Sequence, residues 1–82
     1  MEEIERLKRE VRAIAQSILR GETSERQGAA RIWVLLAEAD YPEELHGARV
    51  AFVGPMSEWE DDPKHGEAYA ADIRESAQRF AR

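Results

Sequence analysis

A chain of 82 residues with 35% charged side chains, no cysteine and a formal net charge of −5 is sized for one helical domain, 1–82, held by packing alone. Disulfide scaffolds and thiolate metal sites are excluded. The longest apolar run, residues 32–37, falls far short of the ~20 residues that cross a bilayer, and the opening MEEIERLKRE lacks the basic-then-apolar order of a signal peptide. The apolar residues are regularly spaced, which argues against disorder, and the expectation is a cytoplasmic globular protein.

Residues 2–20 predict a helix. Ile4, Leu7, Val11, Ile14 and Ile18 are spaced three and four apart, a heptad seam. Glu2, Glu3 and Glu5 suit its N-terminus, and Gly21 suits a left-handed cap. Such a seam either forms one wall of an intramolecular bundle or joins two chains in a homodimer; fewer than three heptads favours the first. Ser24 and Gln27 match a capping box, so a second helix is expected over 25–39. Its stretch 28–39, GAARIWVLLAEA, is the most apolar in the chain. Ile32 and Leu36 share a face that Ala29, Trp33 and Leu35 widen, which places this helix at the bundle's centre. Gly28 reads as a point of close helix approach.

Asp40-Tyr41-Pro42 ends that helix and starts a short third one, about 43–53, with Pro42 at its first position and Leu45, Ala48 and Phe52 as its buried residues. Gly54-Pro55 is expected to stop it, and 56–62 reads as a loop or short turn. Asp62-Pro63 then opens the last helix, about 63–81, whose buried stripe is Tyr69, Ile73, Ala77 and Phe80. The predicted fold is all-α: a compact antiparallel bundle of three long helices and one short helix.

Charge is unevenly distributed. Residues 1–37 carry +1 and residues 68–82 carry +1, whereas residues 38–67 set nine acids against Arg49 and Lys64. A field of that sign repels nucleic acid and anionic lipid and attracts basic protein surfaces. The strongest candidate site is Glu58-Trp59-Glu60-Asp61-Asp62, where four carboxylates surround a residue type enriched in binding hot spots. The bland alternative has Trp59 covering the bundle's end and the acids favoured by the dipole of a helix N-terminus. Glu43 and Glu44, with Glu38 and Asp40, form a second acidic group, and whether the two groups share a surface is open at this stage.

Chemistry has weaker signals. His65 lies three and four residues from Asp62 and Asp61, but Pro63 intervenes, and His46 is 19 residues away with no H-E-x-x-H spacing; neither a metal nor another cofactor is expected. There is no glycine-rich phosphate loop, and Ser17, Ser24, Ser57 and Ser76 lie in no nucleophile-elbow context. Glu2-Glu3-Ile4-Glu5 lacks the Glu-Glu-x-x-Glu spacing with which helical pyrophosphohydrolases hold magnesium.

Gly21-Glu22-Thr23-Ser24, then Gly28-Ala29-Ala30-Arg31-Ile32-Trp33, and finally Phe52-Val53-Gly54 with Ser57-Glu58-Trp59-Glu60-Asp61-Asp62-Pro63 together resemble a pattern in small uncharacterised bacterial helical proteins. The resemblance implies a bacterial cytosolic protein and carries no catalytic residues. In size and acidity, without matching motifs, the chain is also similar to helical immunity proteins, which neutralise nuclease toxins. The expectation is a non-enzymatic module that binds a basic protein partner through Glu58, Trp59, Glu60, Asp61, Asp62, Glu43 and Glu44. The alternatives are a small metal-dependent hydrolytic enzyme using the carboxylates and His65, or a structural homo-oligomer built on helix one.

Overall fold

The heptad positions of the first segment form one buried stripe. In the computed structural model, which describes residues 2–82, α1 spans Glu2–Leu19 and buries Leu7, Val11, Ile14, Ala15 and Ile18. It ends in a Schellman cap. Gly21 takes φ +76°, its N–H donates to the Ile18 carbonyl at 3.1 Å, and the Glu22 N–H donates to the Ser17 carbonyl at 3.0 Å. Ser24 then caps α2 (Glu25–Glu38), its Oγ accepting the Gln27 N–H at 3.1 Å. Gly28 is where α1 and α2 come closest: a Cβ there would lie 2.5 Å from Ile18 Cδ1.

α2 ends with the same pair of bonds, Asp40 N–H to Ala37 O at 3.0 Å and Tyr41 N–H to Leu36 O at 2.8 Å. Here, however, the left-handed position is filled by Asp40 (φ +60°), and Tyr41 follows it at φ +50°. The Tyr41 side chain is pinned from two sides. Its hydroxyl accepts the Trp33 Nε1–H at 3.0 Å, and the Arg49 guanidinium lies 4.1 Å from its ring centroid.

The third helix differs from expectation at both ends. Pro42 (φ −56°, ψ 137°) stays outside it, and a 3₁₀ turn, Glu43–Leu45, leads in. α3 (His46–Ala48), a π-helical turn (Arg49–Val53) and α4 (Gly54–Asp61) then run on without a break as one rod. The stop expected at Gly54-Pro55 is therefore absent, and 56–61 is helix. Inside an α-helix Pro55 would lose a backbone bond and strike a carbonyl one turn back. The π turn removes that conflict: Gly54 N–H reaches five residues back to Arg49 O, which leaves Pro55 in the first turn of α4, where no N–H is needed. Burial of Met56 holds the continuation against the core.

Asp62 (φ −140°, ψ 71°) ends the rod. Pro63–His65 forms a 3₁₀ turn, and α5 spans Gly66–Phe80, three residues later than expected, burying Ile73, Ser76 and Ala77. Long-range contacts fix the helix directions. Arg26 near the start of α2 lies over Trp59 at the end of the rod, while Tyr41 just past α2 meets Arg49 near the rod's start. Trp59 also lies against Gly66, and Phe52 meets Phe80 edge-on at 5.4 Å between centroids. The rod is thus antiparallel to both α2 and α5.

The core is shared among all four helical segments rather than centred on α2. Phe52 is the largest fully buried side chain, with Leu7, Ile18, Ile32, Leu36, Ile73 and Val11 around it. Ala29, Ile32 and Leu36 of α2 are buried, but Trp33 and Leu35 are only half-buried and Val34 is 57% exposed. Fourteen residues flanked by α1 on one side and the rod on the other have a dry face and a wet one. Among the described residues there is no strand, no buried polar side-chain atom lacks a partner, and no helix is long and apolar enough to cross a membrane.

Candidate functional site

The acidic pentad lies on the last turn of α4 and the residue that ends it. Glu58, Glu60 and Asp61 are exposed, and Trp59 and Asp62 are half-buried. Helix amphipathicity explains the arrangement: Met56 takes the core face, Trp59 follows three residues on at its edge, and the acids fill the wet arc between and beyond them.

Trp59 is held by the chain's own residues. Its indole covers Gly66, where an added Cβ would lie 2.8 Å from Nε1, and the Arg26 guanidinium carbon sits 5.4 Å from the ring centroid on the other side. The side chain therefore closes the end of the bundle where α2, α4 and α5 meet, and part of it remains open to solvent.

Asp62 does not cap α5 with its side chain. One carboxylate oxygen, Oδ2, is shared between His65 Nδ1 at 2.6 Å and the Tyr69 hydroxyl, which donates to it at 3.2 Å. The Tyr69 phenol is held above its ordinary value, first by partial burial, then by the hydrogen bond to Asp62 and its charge, then by the charges of Glu58 and Asp61. Three carboxylates of the pentad thus act on one point. None of Glu58, Glu60 and Asp61 forms an ion pair among the described residues.

The second acidic group lies elsewhere. Glu43 and Glu44 belong to the turn before the rod, and fourteen residues of helical rise put Glu44 roughly 20 Å from Glu58. The two groups lie at opposite ends of the rod. His46 is likewise at the far end from His65, and among the described residues no three His, Asp or Glu side chains are grouped to hold a metal ion.

Two neighbours of the site were not visible in the sequence. Tyr69 is seven residues from Asp62 across a proline break and its spacing predicts a place in the core stripe, and nothing in the spacing of Arg26 points to Trp59. No protein-family model matches this chain, nor does any curated protein or solved structure.

Proposed function

We propose that this chain is a non-enzymatic interaction module that binds a basic protein partner through Glu58, Glu60, Asp61 and Asp62, with the open part of Trp59 alongside. A role of the immunity or regulatory type in a bacterial cytoplasm fits such a module. One observation carries the reading. Glu58, Glu60 and Asp61 sit in the C-terminal turn of α4, where the helix dipole disfavours negative charge, and only Asp62 stands at the N-cap position of the following 3₁₀ turn, where its side chain caps no N–H. Among the described residues Glu58, Glu60 and Asp61 form no ion pair, while Asp62 meets His65. Carboxylates crowded at a helix C-terminus, with His65 beside Asp62 as their one neighbouring base in contact, are relieved by cations from outside. Glu43 and Glu44, at the other end, lie outside this surface.

The test is heteronuclear NMR titration with a synthetic lysine- and arginine-rich peptide at low and high salt. Saturable shifts are expected over residues 57–69, weakening with salt, and lost in the Glu58→Gln/Glu60→Gln/Asp61→Asn variant but kept in Glu43→Gln/Glu44→Gln. Equal binding by both variants overturns the reading.

A further inference from the structure

The most acidic part of the chain is at one end; at the other, four cations gather around one cavity. Lys8 and Arg12 from α1, Arg79 from the end of α5 and Arg82 just past it line a recess of about 280 Å³, and Glu44 is the one acidic side chain on its rim. The α5 residues have a structural explanation, since a helix C-terminus favours positive charge. Arg12 has none, and Lys8 has only an exposed contact with Glu5 one turn back: both lie within α1, a different helix, and face like charge across the recess.

The guanidinium groups are poorly neutralised. Among the described residues Arg12, Arg79 and Arg82 form no ion pair, and Arg79 donates only to Ser76 Oγ at 3.2 Å. Lys8 has Glu5 at 3.9 Å, and Glu44 is within ion-pair distance of none of the four. Planar donors held within reach of one another and left unpaired suit the oxygens of a carboxylate or phosphate.

Beneath this charged rim the surface is apolar. Val11, Leu45 and Ala48 form the floor and Phe80 one wall. The apolar surface continues past Phe80 and Arg79 to Ala51 and Val50, and Val50, 60% exposed, is one of two large hydrophobic side chains among the described residues that face solvent. A recess with convergent donors at one side and apolar wall at the other has the composition of a small-molecule site, just below the usual volume range of about 300–1,000 Å³.

We infer that this recess binds a small organic anion, its carboxylate or phosphate held by Arg12, Arg79 and their neighbours and its short apolar body laid against Phe80 toward Val50. The site is at the opposite end from the acidic surface, so its test is independent of the one above. Anionic head and apolar body each contribute, and a molecule with only one of them binds more weakly.

The probes are phenyl phosphate, phenylacetate, inorganic phosphate and benzyl alcohol, titrated into the full chain and followed by heteronuclear NMR. Saturable shifts at Arg12, Ala48, Arg79 and Phe80 are expected with phenyl phosphate, phenylacetate or both at low millimolar concentration. Which of the two binds tighter identifies the head group. Inorganic phosphate and benzyl alcohol should bind about fivefold more weakly or less, and Arg12→Gln or Arg79→Gln should weaken the better probe by about fivefold or more. Arg31→Gln, an exposed guanidinium on α2, should leave it unchanged, and all three substitutions are at exposed positions that leave the core intact. The proposal is overturned if neither aromatic anion saturates, if benzyl alcohol or inorganic phosphate matches them, or if Arg31→Gln weakens binding as much as Arg12→Gln.

Discussion

Glycine at 28 and glycine at 47 look alike in sequence, each inside a helix, yet their surroundings give them opposite signs. Alanine is favoured over glycine in a helix by about 1 kcal/mol. At position 28 the new methyl would meet Ile18 Cδ1 and Cγ1 at 2.5 and 2.6 Å, and Ile18 is itself fully buried and branched, with nowhere to move. Overpacking of this kind costs about 1–3 kcal/mol, so Gly28→Ala should lower stability in urea denaturation despite the helical gain. At position 47 the nearest atom is Phe80 Cζ at 3.8 Å, an ordinary contact, and Gly47→Ala should raise stability by about 0.5–1 kcal/mol. The same sign for both variants would show that α1 and α2 are not in the close contact described. Tyr69 is a second residue whose environment sets its chemistry. Burial and the Asp62, Glu58 and Asp61 carboxylates favour its neutral form, so the phenol titrates above its ordinary 10.0 in the folded chain. A raised folded value contributes stability that is complete below pH 10 and is lost as pH rises through the folded value. Asp62→Asn should lower the Tyr69 midpoint in an ultraviolet titration and make the alkaline loss of stability shallower; an unchanged midpoint would detach Tyr69 from the acidic cluster.

At the scale of the element, the rod from His46 to Asp61 accounts for most of what is unusual here. Its π turn absorbs Pro55, keeps Phe52 and Met56 on the core side, and carries the chain onward so that Glu58–Asp61 become the C-terminal turn of a helix. That placement has a consequence for stability. Neutralising Glu60 and Asp61, as Glu60→Gln/Asp61→Asn, removes charge that the dipole disfavours and should stabilise the fold by about 0.3–1 kcal/mol while weakening attachment of a basic peptide. A thermal melt alongside the peptide titration checks both halves. Loss of stability would mean that these acids serve the fold and not a partner. The cap before the rod shows related economy: the bond pattern closing α2 repeats the one closing α1, with Asp40 doing at φ +60° what Gly21 does at +76°.

At the scale of the molecule, the heptad seam of α1 is spent within the chain. Leu7, Val11, Ile14 and Ile18 all face the shared core, so joining two copies along that seam would require α1 to leave its place between α2 and α5. Sedimentation at tens of micromolar should therefore find a monomer, and a dimer abolished by Val11→Ala would contradict the packing. The radius of gyration, 11.8 Å, is that of an ordinary globular chain of this length, about 12 Å. On that small body the charges are sorted: an acidic end at Glu58–Asp62 and an arginine-lined recess near the start of the rod.

Local patterns fixed much of this. The seam of Leu7, Val11, Ile14 and Ile18, the Ser24 cap and the left-handed Gly21 follow from interactions within a few residues and are found where the pattern puts them; of the stripe Tyr69, Ile73, Ala77 and Phe80 the middle two are buried, while Tyr69, Phe80 and Ile4 of the seam are half-buried at the margins. The all-helical architecture follows from them. What needed tertiary structure was anything that depends on a neighbour distant in sequence. Gly54-Pro55 reads as a stop because a proline's local effect is to break an α-helix; burial of Phe52 and Met56 against other helices, with a π turn to make room, overrides it. For the same reason Glu58, Glu60 and Asp61, expected in a loop or short turn, end a helix, the two acidic groups lie at the two ends of the rod, and Lys8 and Arg12 come to face Arg79 and Arg82 across seventy residues of chain. Short-range preferences set which residues can be helical and which face is dry; only the packing of one helix against another decides how far a helix runs and which charges meet at its ends.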